Sequence, residues 1–186
     1  MASKVGICNR ALNALGVRAR IASLEEGSEP ARKCNLIIQD CIDEVLRAYD
    51  WNCAQDRASL AQSATAPVFG YDYKYALPVD CLRVIQMEEK TDVFKIEGRF
   101  LLTDESTCKI LYIKQITDTG VLDPLCRRAV SARMAAELAF TLTNSNTLQD
   151  TMWSLYGGII QEAQEIDAQE GTAGQWESES WIDERG

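Results

Sequence analysis

Apolar residues recur every three to four positions in four stretches of the chain, and lose that period in the stretch between the second and the third. From Pro30 to about Asp50, Cys34, Ile37, Ile38, Cys41, Ile42, Val45, Leu46 and Tyr49 form one stripe. Arg32, Lys33, Gln39, Asp40, Asp43, Glu44 and Arg47 fall on the opposite, solvated face. This is the clearest element in the sequence, with Ser28 as its N-cap and Pro30 in its first turn. Residues 4–15 place Val5, Ile7, Cys8, Ala11, Leu12 and Leu15 on a shorter stripe, and Gly16 is the stop. A third helix opens on Asp123 as cap and Pro124 at its first position. Its face is built from small residues, Ala129, Ala132, Ala136 and Ala139 with Leu125 and Phe140, and permits close approach within the chain or between subunits. A fourth helix runs from about Thr147 to Gln169, with Leu148, Met152, Leu155, Tyr156, Ile159, Ile160, Ala163 and Ile166 on one face. Gly157 and Gly158 inside it cost about 1 kcal/mol each relative to alanine and are read as packing glycines.

Between these pairs the pattern shortens. Tyr71, Tyr73 and Tyr75 alternate, which fits a strand or an extended loop. CLRVIQMEE, DVFKIEG, RFLLTD and CKILYIKQI follow as strand candidates, with a tight hairpin at Glu97-Gly98. The expected fold is α+β and mainly α: a four-helix bundle interrupted by a small antiparallel β insertion, with an extended C-terminal tail. Residues 1–50 and 123–169 form the bundle, 51–122 the insertion and 170–186 a flexible tail.

Composition narrows the function. The 186 residues suit one domain with an insertion, and the net charge of −9 argues against a general nucleic-acid binder and against attraction to anionic membranes. No apolar run approaches the ~20 residues of a membrane span. The N-terminus shows no signal peptide, so the protein is expected to stay where it is made. The seven cysteines are odd in number and form no CxxC, and no histidine is present. Buried thiols are expected, and no metal site. The missing histidine also removes Ser-His-Asp and Cys-His nucleophiles, and no phosphate loop or dinucleotide motif occurs. No cofactor and no catalytic residue is assigned. A carboxylate-based hydrolase acting on cell-wall glycan stays as the enzymatic alternative, although no carboxylate pair singles itself out. An acidic cytosolic helical interaction protein is the other alternative.

Arg10, Arg18 and Arg20, with Arg127, Arg128 and Arg133, are the densest basic groups. They face either solvent or an acidic partner surface. Trp51 is read as a plug at the end of the bundle. The tail GTAGQWESESWIDERG is too acidic and too poor in aliphatic residues to fold alone, yet carries two of the four tryptophans. Something outside the fold is expected to receive Trp176, Trp181 and Ile182.

The order of short motifs then carries a resemblance. Leu12-Asn13-Ala14-Leu15-Gly16, Trp51-Asn52, Leu77-Pro78, Leu82-Arg83-Val84, Gly98, Leu101 and Thr103-Asp104 follow one another as they do in the tail tubular protein A family, the head-to-tail adaptors of short-tailed phages. The chain resembles that family over about residues 4–165. Tyr49-Asp50 stands where the family has Arg/Lys-Gly before the tryptophan, and the tail matches no family motif. The resemblance implies a structural virion protein of the tail or neck, made in the host cytoplasm and not an enzyme. It implies a homo-oligomeric ring, usually twelve-fold, that docks under the portal protein and carries the next tail component, a nozzle or tail tube protein. DNA would pass through its channel without specific binding. On that reading Trp176, Trp181 and Ile182 bind the portal or a neighbouring subunit, and Arg127, Arg128, Arg133, Ala132 and Ala136 are candidate subunit-interface residues.

Overall fold

Local capping chemistry decides where the helices begin. In the computed structural model, which describes residues 3–88 and 93–169, four helices each start on a side chain that accepts an otherwise unpaired backbone N–H. Ser3 Oγ accepts from Gly6 at the start of α1 (Lys4–Ala14), and Ser28 Oγ accepts from Ala31 at the start of α2 (Glu29–Ala48). Asp123 accepts from Leu125 and Cys126 at the start of α3 (Pro124–Thr143), and Ser145 Oγ accepts from Leu148 in the first turn of α4 (Asn146–Gln169). Gly16, at φ +72°, ends α1 in the left-handed conformation while Val17 N–H reaches back to the Leu12 carbonyl at 3.0 Å.

Between α2 and α3 the chain forms six strands: β1 (Gln55–Ser59), β2 (Tyr73–Ala76), β3 (Cys81–Met87), β4 (Phe94–Glu97), β5 (Phe100–Thr103) and β6 (Lys109–Lys114). They make two antiparallel sheets, in the orders β1-β6-β3 and β2-β5-β4. The β4–β5 hairpin turns at Gly98, φ +62°, with Glu97 opposite Phe100, close to the expected position. Alternation along β6 sends Ile110 and Tyr112 into a core shared with Tyr75 and Leu101 of the second sheet, and Ile113 into the core of the helices. Residues on β3 divide in the same way. Leu82 and Ile85 pack toward the helices, whereas Cys81, Val84 and Met87 pack toward the second sheet. The order of layers is therefore helices, first sheet, second sheet, with one apolar core in each gap.

A four-helix bundle carrying a small insertion is not what forms. The structure has four helices plus two three-stranded antiparallel sheets, and the sheets supply an apolar core of their own. Among the helices α3 is the hub: α1, α2 and α4 pack on it, and touch one another far less. The expectation failed because it asked the four helical stripes to bury only one another. Part of the α2 stripe is covered instead by β3 and β6. The polar strand β1 has no alternation of its own and acquires its identity from pairing with β6, with Arg57 opposite Leu111. The glycine pair in α4 is also corrected. A Cβ at Gly157 or Gly158 would meet nothing within 4 Å, so neither position is a close crossing.

Candidate interaction surfaces

Four of the motif residues, Trp51, Asn52, Leu82 and Arg83, meet at a joint between the layers. Trp51 is fully buried, its indole N–H donates to the Val45 carbonyl at 2.8 Å, and Tyr49 stands edge-on to it with ring centroids 5.4 Å apart. Asn52 fastens α4 to this end of α2. Its backbone N–H lies 3.3 Å from both carboxylate oxygens of Asp167, and its side-chain amide donates to the Asp167 carbonyl at 2.9 Å. Arg83 on β3 pairs with Asp50 and donates through Nε to the Arg47 carbonyl at 3.0 Å. In return the Arg47 guanidinium donates to the Leu82 carbonyl. Leu77-Pro78 is held in the same way: Arg99 donates to the carbonyls of Pro78 and Cys81. Thr103 is buried and donates to the Val93 carbonyl at 3.0 Å, and Asp104 accepts from Asp72 N–H at 2.9 Å. Each of these side chains is spent inside the chain.

Two cysteine pairs sit in the helical layer, and every described cysteine is a free thiol. Cys53, beside the joint, hydrogen-bonds Cys126 at the start of α3, which brings its pKa down to about 7. The same contact, with burial, pushes Cys126 up. Cys8 and Cys34 form the second pair, in which the shared hydrogen bond raises Cys8 and lowers Cys34. Burial drives Cys41 up to about 12. Among the described residues no cluster of His, Cys, Asp or Glu could hold a metal ion, and no helix is long and apolar enough to cross a membrane.

Of the third-helix residues singled out as interface candidates, the two alanines are buried and the three arginines are half-exposed and engaged within the chain. Ala132 and Ala136 are buried in the core of the helical layer. Arg127 donates to the Leu122 carbonyl at 2.8 Å, and Arg128 pairs with Glu162 at 3.1 Å. Arg133 pairs with Glu44 at 2.5 Å and Glu137 at 2.9 Å, and its guanidinium lies 4.9 Å from the Trp153 ring. It clamps α2, α3 and α4 together. Trp176, Trp181 and Ile182 lie outside the described residues.

Unsatisfied chemistry is found elsewhere. Between β1 and β2 a loop lifts Val68 and Phe69 away from the body, 98% and 86% exposed. The pair sits between Pro67 and Gly70, the latter at φ +92°, so the apolar tip is set by turn residues on both sides. Beneath it a groove of about 550 Å³ opens on the second sheet, lined by the loop and by Lys74, Lys95, Glu97, Phe100 and Leu102. Lys74 Nζ lies 4.0 Å from the Phe100 ring centroid, and among the described residues no carboxylate pairs with it. Lys95 is paired with Glu97 at 2.8 Å. A second groove, of about 520 Å³, is lined by Arg10, Arg18 and Arg20 with Asn9 and Asn13 at the end of α1. Asn9 is already used, bridging the Ile21 N–H and carbonyl at 2.9 Å each. On α4, Leu155 and Ile166 are partly exposed on one side of the helix, and Trp153, beneath the Arg133 guanidinium, on another. Sequence reasoning found the three arginines but not the loop tip. The available signal was an apolar pair confined between Pro67 and Gly70, too short to be a strand.

No protein-family model matches the chain, and no curated protein matches it.

Proposed function

We propose that the protein is a structural assembly subunit, a head-to-tail adaptor that forms a ring beneath the portal of a phage and joins it to the next tail component. The single observation that supports assembly is the apolar loop tip at Val68 and Phe69, held clear of the fold at 98% and 86% exposure. Leaving two large apolar side chains in water forfeits about 25 cal/mol for each Å² that a partner would cover. The choice of a head-to-tail adaptor among assemblies is supported by the resemblance of the ordered motifs from Leu12 to Asp104 to those of the tail tubular protein A family. A closed ring joins unlike surfaces head to tail, so each subunit must present a giving and a receiving face. The loop tip and the arginine-lined groove offer such unlike faces. The net charge of −9 suits a channel wall that lets DNA pass without holding it.

The reading is tested by native mass spectrometry of the chain with and without the portal ring of the same virion, together with imaging of the virion neck. A defined multimer on the portal and density between vertex and tail are expected. A chain that stays monomeric beside the portal and releases fragments from cell-wall glycan would overturn it.

A further inference from the structure

We propose that the groove under the Val68-Phe69 tip receives the acidic, tryptophan-bearing C-terminal segment of a neighbouring copy; the choice of a neighbour rests on the ring reading above.

Three features of the groove define what fits it. Its volume, about 550 Å³, is in the range of sites that enclose a ligand the size of a few side chains. Its apolar lining includes Pro67, Val68, Phe69, Tyr71, Phe100 and Leu102, so it favours an aromatic guest. At its rim Lys74 carries a positive charge over the Phe100 ring; the groove's one carboxylate, Glu97, is paired with Lys95 at 2.8 Å, which leaves a net positive charge at the rim. Such a site selects an aromatic residue flanked by acid.

One stretch of this same polypeptide has that composition. Trp176 is followed by Glu177 and Glu179, and Trp181 by Ile182, Asp183 and Glu184, with Arg185 as the only cation from Glu170 to the end. The arginine-lined groove at α1 is more basic, but Val17 and Ala19 are its only apolar lining residues and it has no aromatic floor for a tryptophan. A lysine on an aromatic floor attracts such a segment. Trp176 enters between Phe69 and Phe100, and Glu177 or Glu179 meets Lys74. An extended chain advances about 3.3–3.6 Å per residue, so Trp176 can stand about 20 Å beyond Gln169 and Trp181 about 40 Å. That reach lets the segment leave its own α4 and cross to an adjacent subunit. Giver and receiver are then two different parts of one chain, as a ring requires.

The probe is a synthetic peptide of residues 170–186, titrated onto the full-length chain bearing Trp176→Ala and Trp181→Ala, with binding read by calorimetry. Saturable binding is expected, weakened at least tenfold by Phe69→Asp and by Lys74→Glu, and falling as salt rises. Circular dichroism checks that the groove variants keep their helices and strands. No saturable binding, or binding indifferent to both groove substitutions, overturns the proposal. Wild-type chain, diluted until it is monomeric, is expected to bind the peptide as well as the tail variant does. Tenfold weaker binding there would mean that the chain's own tail fills the groove, which overturns the assignment to a neighbour. The adaptor reading is separable: a Phe69→Asp chain that still docks on the portal ring keeps that reading and limits the groove to contacts between copies.

Discussion

The joint around Trp51 and the groove under Phe69 are opposites. At the joint, each polar group described has a partner. Trp51 meets Val45, Asn52 meets Asp167, and Arg83 meets Asp50 and the Arg47 carbonyl. At the groove, large apolar side chains stand in water, and among the described residues Lys74 meets an aromatic face and no carboxylate pairs with it. Yet the joint holds the motif residues Trp51, Asn52, Leu82 and Arg83, and the groove is lined by none of the motif residues. The difference teaches that the most recognisable positions in this sequence are architectural. They fix how the layers meet. The surfaces free to bind are carried by residues that no motif marks.

Substitutions should separate the two regions in order of size. Trp51→Ala, which empties a fully buried indole site, should cost about 3–5 kcal/mol in chemical denaturation. A loss below 1 kcal/mol would remove the joint from the comparison. Asp167→Ala strips the acceptor from Asn52 N–H and should cost about 1.5–3 kcal/mol, the range for hydrogen bonds to charged groups. In the opposite direction, Gly158→Ala should stabilise by roughly 0.5–1 kcal/mol, because the added Cβ meets open space in a helix interior. Phe69→Ala should change stability by less than about 0.5 kcal/mol, as expected for an exposed side chain, while weakening self-association. If it unfolds the chain instead, the loop tip belongs to the core and the contrast fails.

Cys53 offers a smaller test inside the joint. Its hydrogen bond from Cys126 brings its pKa from an ordinary 9.0 to about 7. The folded thiol therefore gives up its proton at a pH where the unfolded thiol still holds one. Stability from this group rises with pH between about 7 and 9, and is lost as pH falls through 7. Because Cys53 is partly exposed, the gain is small. Thiol reactivity is the sharper readout. Alkylation followed by mass spectrometry should modify Cys53 ahead of buried Cys8, Cys41 and Cys126, with a half-maximal rate near pH 7. A midpoint near pH 9 would show that the thiol pair does not hold the thiolate.

The helices were legible in the sequence because their signals are local. Ser28, Asp123 and Pro124 act on N–H groups two or three residues away, and a stripe such as Cys34, Ile38 and Cys41 is complete within one element. The hairpin at Gly98 was legible for the same reason. What escaped was decided at a distance. Gln55–Ser59 is a strand only because β6 pairs with it, and the division of six strands into two sheets depends on β2 choosing β5. The alanines of α3 promised close approach without saying to what, and the answer is other helices of the same chain. Arg133 was singled out as a charge that could reach a neighbour, although Glu44 lies in the preceding helix of its own layer. At the groove, Lys74 and Phe100 are separated in sequence by strands β3 and β4, and the β2–β5 register, with Ala76 opposite Phe100, brings them together.

Strand β6 has one further consequence. Its alternate side chains engage both cores, Tyr112 on one side and Ile113 on the other. A pull exerted on the loop at Phe69 is passed to the helices across the sheet that this strand centres.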